Sequence, residues 1–216
     1  EGTIIFPNEP VVTVRANIIE AQLIETYLLL SINYQSLIAT KTRRIVEAAK
    51  GRAVMEFGSR RAQGESAALL GARSAYIAGA VGTACAMADV RYHVPALGTM
   101  AHSWVQTFET EYEAFVTYCK TYPNNATLLV DTYNVLKSGV PNAIRVFSEM
   151  REAGIPLKNY GIRLDSGDLA YISKKARKML DDAGFTDAII AASNDLDEYV
   201  IQSLKFQGAA ISSWGV

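Results

Sequence analysis

The chain has 216 residues, half of them apolar, with 21 lysines and arginines against 22 acidic residues and a formal charge of −1. That length can bury a substantial core, and the charge balance supplies no general field for nucleic acid or an anionic membrane surface. No run of 18 apolar residues argues for a transmembrane helix, and two cysteines, Cys85 and Cys119, are too few for a disulfide scaffold and suit a reducing cytoplasm.

In chain order, TIIFPNEPVVTVRA reads as a hairpin with Pro7 and Pro10 at its turn, the incomplete edge of a neighbouring β-containing domain over residues 1–17. IIEAQLIETYLLLSINYQSLIATKTRRIVEAA then predicts one long helix. From about residue 53 a unit recurs: a short apolar run, a polar or glycine-rich knot, then an amphipathic helix. The runs are AVMEF (53–57), AYIAGAV (75–81), YHVPAL (92–97), ATLLV (126–130), NYGIRL (159–164), DAIIAA (187–192) and GAAISSW (208–214). SWVQTFETEYEAFVTYCKTY reads as one helix with Ser103 as its N-cap. SGVPNAIRVFSEMREAG opens at Ser138 and Pro141 and closes at Gly154, and SGDLAYISKKARKMLDDAG stops at Gly184. Strands alternating with helices, roughly 30 residues from one strand to the next, indicate βαβ units and a parallel sheet. No GxGxxG follows the first strand, which disfavours a dinucleotide-binding domain, so a (β/α) barrel is expected over residues 18–216. The opening glutamate and the strand-like ending ISSWGV make the sequence read as a piece of a longer chain.

In such a barrel, ligands bind where strands end and helices begin. Those positions carry Arg60 and Arg61, then Gly82 and Thr83, then His102, then Asp131 to Asn134. The fifth knot holds Arg163, Asp165, Ser166, Gly167 and Asp168, and the sixth holds Ser193, Asn194 and Asp195. Arginines with glycine and serine loops at helix N-termini hold phosphate and carboxylate anions, while carboxylates among them suit ribose hydroxyls or a hydrated Mg²⁺. The set therefore points to a phosphorylated sugar or a nucleotide. No Gly-x-Ser-x-Gly elbow or Cys–His signature supports a hydrolase, and the two histidines and two cysteines have no zinc-ligand spacing.

Each position also has a plainer reading. Arg60 and Arg61 would serve as a surface pair, His102 as a hydrogen-bonded structural residue, and His93 as a satisfied core histidine. Asp131 and Asp195 would serve as helix N-caps, and Arg163 with Asp165 as a salt bridge at the barrel rim. MLDDAGF (179–185) looks like an acidic diphosphoribosyl motif but falls at the end of a helix, so Asp181 and Asp182 read as solvated.

Five blocks in order, FGSRRAQG, GTMAHSWVQ, LVDTYNVLKSGVPNAI, GIRLDSGDLAYISK and ASNDLDE, resemble the nicotinate phosphoribosyltransferase family of type II phosphoribosyltransferases. The resemblance covers nearly the whole chain and implies an irregular α/β barrel, a homodimer with shared active sites, and a member about twice as long. It implies a reaction of nicotinate with 5-phosphoribosyl 1-diphosphate, coupled to ATP hydrolysis with substrate-bound Mg²⁺, that yields nicotinate mononucleotide and diphosphate for NAD salvage. On this resemblance His102 is the histidine that ATP phosphorylates, and Arg60 meets the nicotinate carboxylate with Phe57 stacked on the pyridine ring. Arg163 and Asp165 meet the phosphoribosyl group, beside Ser166 and Gly167. Ser193 and Asn194 begin the 5′-phosphate loop, and Thr83 and Asp131 line the mouth. The family pattern DTYD is here DTYN, so Asn134 replaces an expected carboxylate, which an amide matches in hydrogen bonding but not in charge. Two rival readings stand beside this one: a nicotinamide- or quinolinate-using relative, and a barrel fragment that turns nothing over.

Overall fold

The computed structural model describes residues 2–216, so the expected domain edge over 1–17 lies outside the described residues at Glu1. Helix α1 (Ile18–Ala49) forms over the expected stretch, where 32 residues pass without proline or glycine. Its C-terminal half docks by burying Thr42, Ile45, Ala48 and Ala49. Among the described residues six strands form one curled, wholly parallel half-barrel: β1 (Ala53–Glu56), β2 (Gly82–Thr83), β3 (Asn125–Leu129), β4 (Asn159–Leu164), β5 (Ile189–Ala192) and β6 (Ser213–Gly215). Their order is β2-β1-β6-β5-β4-β3. Parallel neighbours require crossovers, and these are supplied by α2 (Glu65–Ile77), α3 (Ala86–Tyr92), α4 (His102–Gln106), α5 (Glu111–Thr121), α6 (Val140–Glu152), α7 (Leu169–Asp182) and α8 (Glu198–Phe206).

The strands are apolar because helices and barrel interior cover both faces. Val54, Leu128, Leu129, Ile162, Leu164, Ile190 and Trp214 are each at most 1% exposed. Helix α6 sets Val146, Phe147 and Met150 on this core, and Phe147 meets Tyr160 and Phe185 edge-on with ring centroids 5.0 and 5.7 Å apart. Burial pushes the Cys119 thiol up to about 12, which leaves it an inert apolar filler.

Several expectations from the sequence are corrected. Residues 2–16 form no hairpin: the segment runs exposed, with a single turn at Pro7 and Asn8 closed by Glu9 N–H on the Phe6 carbonyl at 3.3 Å. Two prolines remove two ladder donors there, and Pro10 lies outside the turn. Residues 75–77 of AYIAGAV finish α2, and β2 is only the following Gly-Thr pair. The run at 92–97 shrinks to a bridge between Thr83 and Ala96, because His93 caps α3 in the left-handed conformation (φ 56°) and Pro95 lacks a donor. His93 is thus an exposed cap and not a core residue. The single helix expected from Ser103 onward is split into α4 and α5, with Ala101 at the N-cap of α4, because Thr110 and Glu113 close a reciprocal capping box that starts α5. Asp181 and Asp182 lie exposed on α7, paired with Arg177 and Lys178, each at 2.8 Å.

The segment after β3 is shaped by Gly139. It ends a π-helical turn (Val135–Gly139) that leads into α6, and a Cβ at this glycine would meet the Val130 carbonyl at 1.9 Å. The close approach fixes where Asp131 to Asn134 emerge from the sheet.

Candidate active site

Arg163, next to last in β4, donates from all three guanidinium nitrogens. Nε reaches Ser193 Oγ at 2.8 Å, one terminal nitrogen reaches Thr99 Oγ1 at 2.8 Å, and the other reaches Asp165 Oδ1 at 3.1 Å. The Ser193 hydroxyl donates to the same Asp165 oxygen and closes the triangle. The arginine and aspartate side chains are only 16% and 20% exposed, so this pair is worth more than a surface salt bridge. On its other side the Arg163 guanidinium carbon lies 5.2 Å from the Phe57 ring centroid. The ring also rests on the backbone of Gly215, where a Cβ would approach it to 2.4 Å. Phe57 is therefore held between a guanidinium and the end of β6, with its N–H on the Val216 carbonyl at 2.6 Å.

A second network adjoins the first. The Asp131 carboxylate, 1% exposed, lies 3.0 Å from Nε2 of His102, the first residue of α4. Its other oxygen accepts the Asp165 N–H at 3.1 Å and the Ser166 hydroxyl at 2.6 Å. An ionised carboxylate only accepts, so in the neutral form of His102 this contact is made by the Nε2–H tautomer, which has its lone pair on Nδ1. Asp165 joins the two networks, with its backbone on Asp131 and its carboxylate on Arg163.

Of the residues expected from the sequence, Phe57, Arg60, His102, Arg163, Asp165, Ser193 and Asn194 line one cavity of about 360 Å³. Asp131 and Ser166 lie behind it, tied to His102 and Asp165, so Asp131 is no helix cap. Thr83 is fully buried; its hydroxyl donates to Glu56 at 2.5 Å and accepts the Cys85 N–H at 2.9 Å, so it supports the wall. Asn134 is exposed outside the lining and caps the π-helical turn by accepting the Lys137 N–H at 2.9 Å. Gly167, at φ 77°, makes the turn from β4 into α7, which Asp168 caps through the Tyr171 N–H.

Sequence reasoning did not single out Ser59 or Thr99 as cavity residues, and it weighed Asp195 both as a strand-end polar group and as a helix cap. The N-cap of α8 is Asp197, while Asp195 lines the cavity beside Asn194, both with positive φ (35° and 89°). Two successive non-glycine residues in that region are a costly backbone, tolerated best by Asn and Asp. Arg61 also lines the cavity, and among the described residues neither Arg60 nor Arg61 has an ion-pair partner.

A curled parallel sheet with unpaired arginines, a bonded Arg–Asp–Ser triangle and a carboxylate-held histidine at its strand ends defines an α/β half-barrel with a polar, arginine-lined mouth. The profile of the Nicotinate phosphoribosyltransferase (NAPRTase) family matches residues 52–203. The nicotinate phosphoribosyltransferase of Bacillus subtilis is 53% identical over 216 residues, covering all of this chain and 43% of that protein. The crystal structure of human nicotinic acid phosphoribosyltransferase superposes with a TM-score of 0.91 at 28% identity, covering 100% of this chain and 54% of that one. A nicotinate-nucleotide pyrophosphorylase from Pyrococcus furiosus superposes at 0.70 with 25% identity, over 85% of this chain and 46% of its own. This chain belongs to the nicotinate phosphoribosyltransferase family. It spans 43% of the length of the Bacillus subtilis relative.

Proposed function

We propose that this chain forms the barrel of an enzyme that joins nicotinate to 5-phosphoribosyl 1-diphosphate, giving nicotinate mononucleotide and diphosphate with coupled ATP hydrolysis. The observation that carries the reading is the cavity: Phe57, stacked against Arg163, lines it together with Arg60 and Arg61, which have no ion-pair partner among the described residues, the Arg163–Asp165–Ser193 triangle and His102.

In this reading the pyridine ring of nicotinate stacks on Phe57 and its carboxylate meets the Arg60 fork. Asp165 accepts from ribose hydroxyls, and Ser193 with Asn194 begins the 5′-phosphate site. The ring nitrogen attacks C1 of the ribose as the bond from C1 to the diphosphate oxygen breaks. Positive charge develops on the sugar beside Asp165 and negative charge on the leaving group, so groups fixed in place for both charges supply much of the acceleration. His102 offers Nδ1 to the γ-phosphorus of ATP; an N–P bond forms, the bond to the β-bridging oxygen breaks, and ADP leaves. Asp131, holding Nε2, orients the ring for that step.

Among the described residues no group of three or more His, Cys, Asp and Glu is spaced to hold a metal ion by itself. A magnesium ion carried by diphosphate needs only one or two protein oxygens, which Asp165 and Asp195 at the cavity would provide, and it supplies charge neutralisation of the leaving group.

The free arginines favour an acid over nicotinamide, since an amide leaves a cation unpaired. The capping bond of Asn134 argues against an impaired barrel, because asparagine caps as well as aspartate does. We assign residues 1–17 to the edge of a neighbouring domain, supported by the exposed Ile4, Phe6, Ile18, Leu23 and Tyr27. A homodimer covering part of that surface and a cytoplasmic setting belong to the same proposal, the latter supported by two free cysteines; among the described residues no helix is long and apolar enough to cross a membrane.

The test uses the full-length protein with γ-labelled ATP and Mg²⁺, followed for acid-labile label and for nicotinate mononucleotide in the same samples. The expected outcome is label and product in the wild type, with label lost in His102→Ala. No label and no product with any pyridine acid or amide would sink the reading.

A further inference from the structure

The segment that brings Phe57, Arg60 and Arg61 to the cavity leaves the sheet immediately after β1. Its main-chain ties at that point are few: Phe57 N–H on the Val216 carbonyl, and the Glu56 carbonyl accepting the Ala84 N–H at 2.9 Å. The remaining hold comes from the side chain of Glu56, the last residue of β1, which is half-buried and outside the cavity lining. One carboxylate oxygen accepts the Gly58 N–H, and the other accepts the buried Thr83 hydroxyl at 2.5 Å. Thr83 is in turn anchored by the Cys85 N–H at 2.9 Å. A single half-buried carboxylate thus ties the start of the segment to the end of β2.

The same contact bears on the residue type at Gly58. Its backbone is ordinary (φ −81°, ψ −3°), so no conformational demand calls for glycine there. A Cβ there would come within 2.8 Å of Glu56 Oε1, so a side chain at 58 would push the carboxylate away from the Gly58 N–H. From Gly58 the order propagates: its carbonyl accepts the Arg61 N–H at 2.8 Å, and Ser59 accepts the Ala62 N–H at 3.2 Å, forming the 3-10 turn Ser59–Arg61. The orientation of that turn sets where Arg60 and Arg61 meet the cavity.

We propose that Glu56 is a positioning residue for the nicotinate half of the site: it never touches substrate, and it fixes the segment that does. The inference rests on the reading of the protein as a nicotinate phosphoribosyltransferase. It separates Glu56 from the Arg163 triangle, which stands on β4 and β5 and is bonded without it.

The experiment measures steady-state kinetics of the full-length enzyme with each substrate varied in turn, alongside thermal melts. Glu56→Ala leaves the Gly58 N–H without a partner, and the expected result is a KM for nicotinate raised about tenfold to a hundredfold. The KM for 5-phosphoribosyl 1-diphosphate should stay within about twofold, since that half keeps its bonds. Glu56→Gln retains an acceptor for Gly58 and should recover most of the loss. Thr83→Val, which removes one anchor of the carboxylate, should give the same split on a smaller scale, and it carries the test should Glu56→Ala fail to fold. Equal shifts in both KM values, or a fall in kcat with neither KM moved, would overturn the proposal as a generic structural effect. A wild type that makes no nicotinate mononucleotide overturns the functional reading itself, an outcome distinct from an active wild type whose variants show no split.

Discussion

Arg163 and the Arg60–Arg61 pair line the same cavity in opposite conditions. Arg163 is mostly buried and spends every nitrogen on protein oxygens, from Ser193, Thr99 and Asp165. Arg60 and Arg61 are exposed and have no ion-pair partner among the described residues. A guanidinium whose three nitrogens are each already bonded to protein serves first as a frame, since turning it toward a ligand would break bonds already made in a low-dielectric setting. One whose donors face an open cavity is ready for an anion and loses no internal bond when it binds one. Under the proposed function, the site divides into a prebuilt phosphoribosyl side and a ligand-completed nicotinate side. Glu56 is the device that gives the second side some of the order the first has from its own side chains.

Lysine at each position breaks this comparison most directly. Arg163→Lys keeps the charge and loses two of three directed bonds, leaving Ser193, Thr99 or Asp165 short of a partner. The expected cost is about 2–3 kcal/mol of stability, with kcat/KM down roughly a hundredfold as the triangle loosens. Arg60→Lys should leave stability within about 0.5 kcal/mol and raise the KM for nicotinate about tenfold, because only the ligand's fork is lost. Denaturant melts and substrate-varied kinetics on both variants check this. Equal stability losses at the two positions would collapse the distinction between frame and free cation.

Gly215→Ala sharpens the boundary between the two sides. The new Cβ would lie 2.4 Å from the Phe57 ring and 3.3 Å from Ser193 Cβ, so the ring, as the nearer neighbour, would have to shift first. Strain of about 1 kcal/mol is expected, with the KM for nicotinate rising and that for the phosphoribosyl donor nearly unmoved. The pairing of Phe57 with Arg163 makes the opposite outcome informative: if both KM values rise together, the ring and the triangle form one rigid unit.

The sequence carried the alternation of apolar runs and helices well, because parallel strands buried on both faces declare themselves as continuous apolar stretches, as ATLLV and NYGIRL do. It misjudged AYIAGAV and YHVPAL, where helix capping by His93 and the missing donor of Pro95 outweighed strand propensity. The break between α4 and α5 was legible in Thr110 and Glu113, yet an uninterrupted apolar spacing from Trp104 to Tyr122 concealed it. At the site, most of the residues named at strand ends converge on one cavity, but the sequence did not tell which arginine was spent and which was free. That distinction depends on Thr99, which reaches Arg163 from 64 positions away and carries no local signal. Glu56 escaped notice for a similar reason: at the end of a strand it reads as one more polar residue, and only the register of β1 against β2 places Thr83 beside it.

Asn134→Asp is expected to have the smallest effect and tests the one departure from the family pattern. Asn134 is exposed outside the cavity lining, and its side-chain oxygen accepts the Lys137 N–H at the start of the π-helical turn. Aspartate accepts that bond equally well, and its charge at the N-terminal end of a helical turn is mildly favourable. Stability should therefore rise by about 0.5 kcal/mol or less, and kcat/KM should stay within about twofold. A rise of tenfold or more in kcat/KM, with stability unchanged, would mean that a carboxylate here reaches substrate when the enzyme is loaded. Residue 134 would then belong with the carboxylates of the phosphoribosyl side, and that side would be one charge short of complete in this protein.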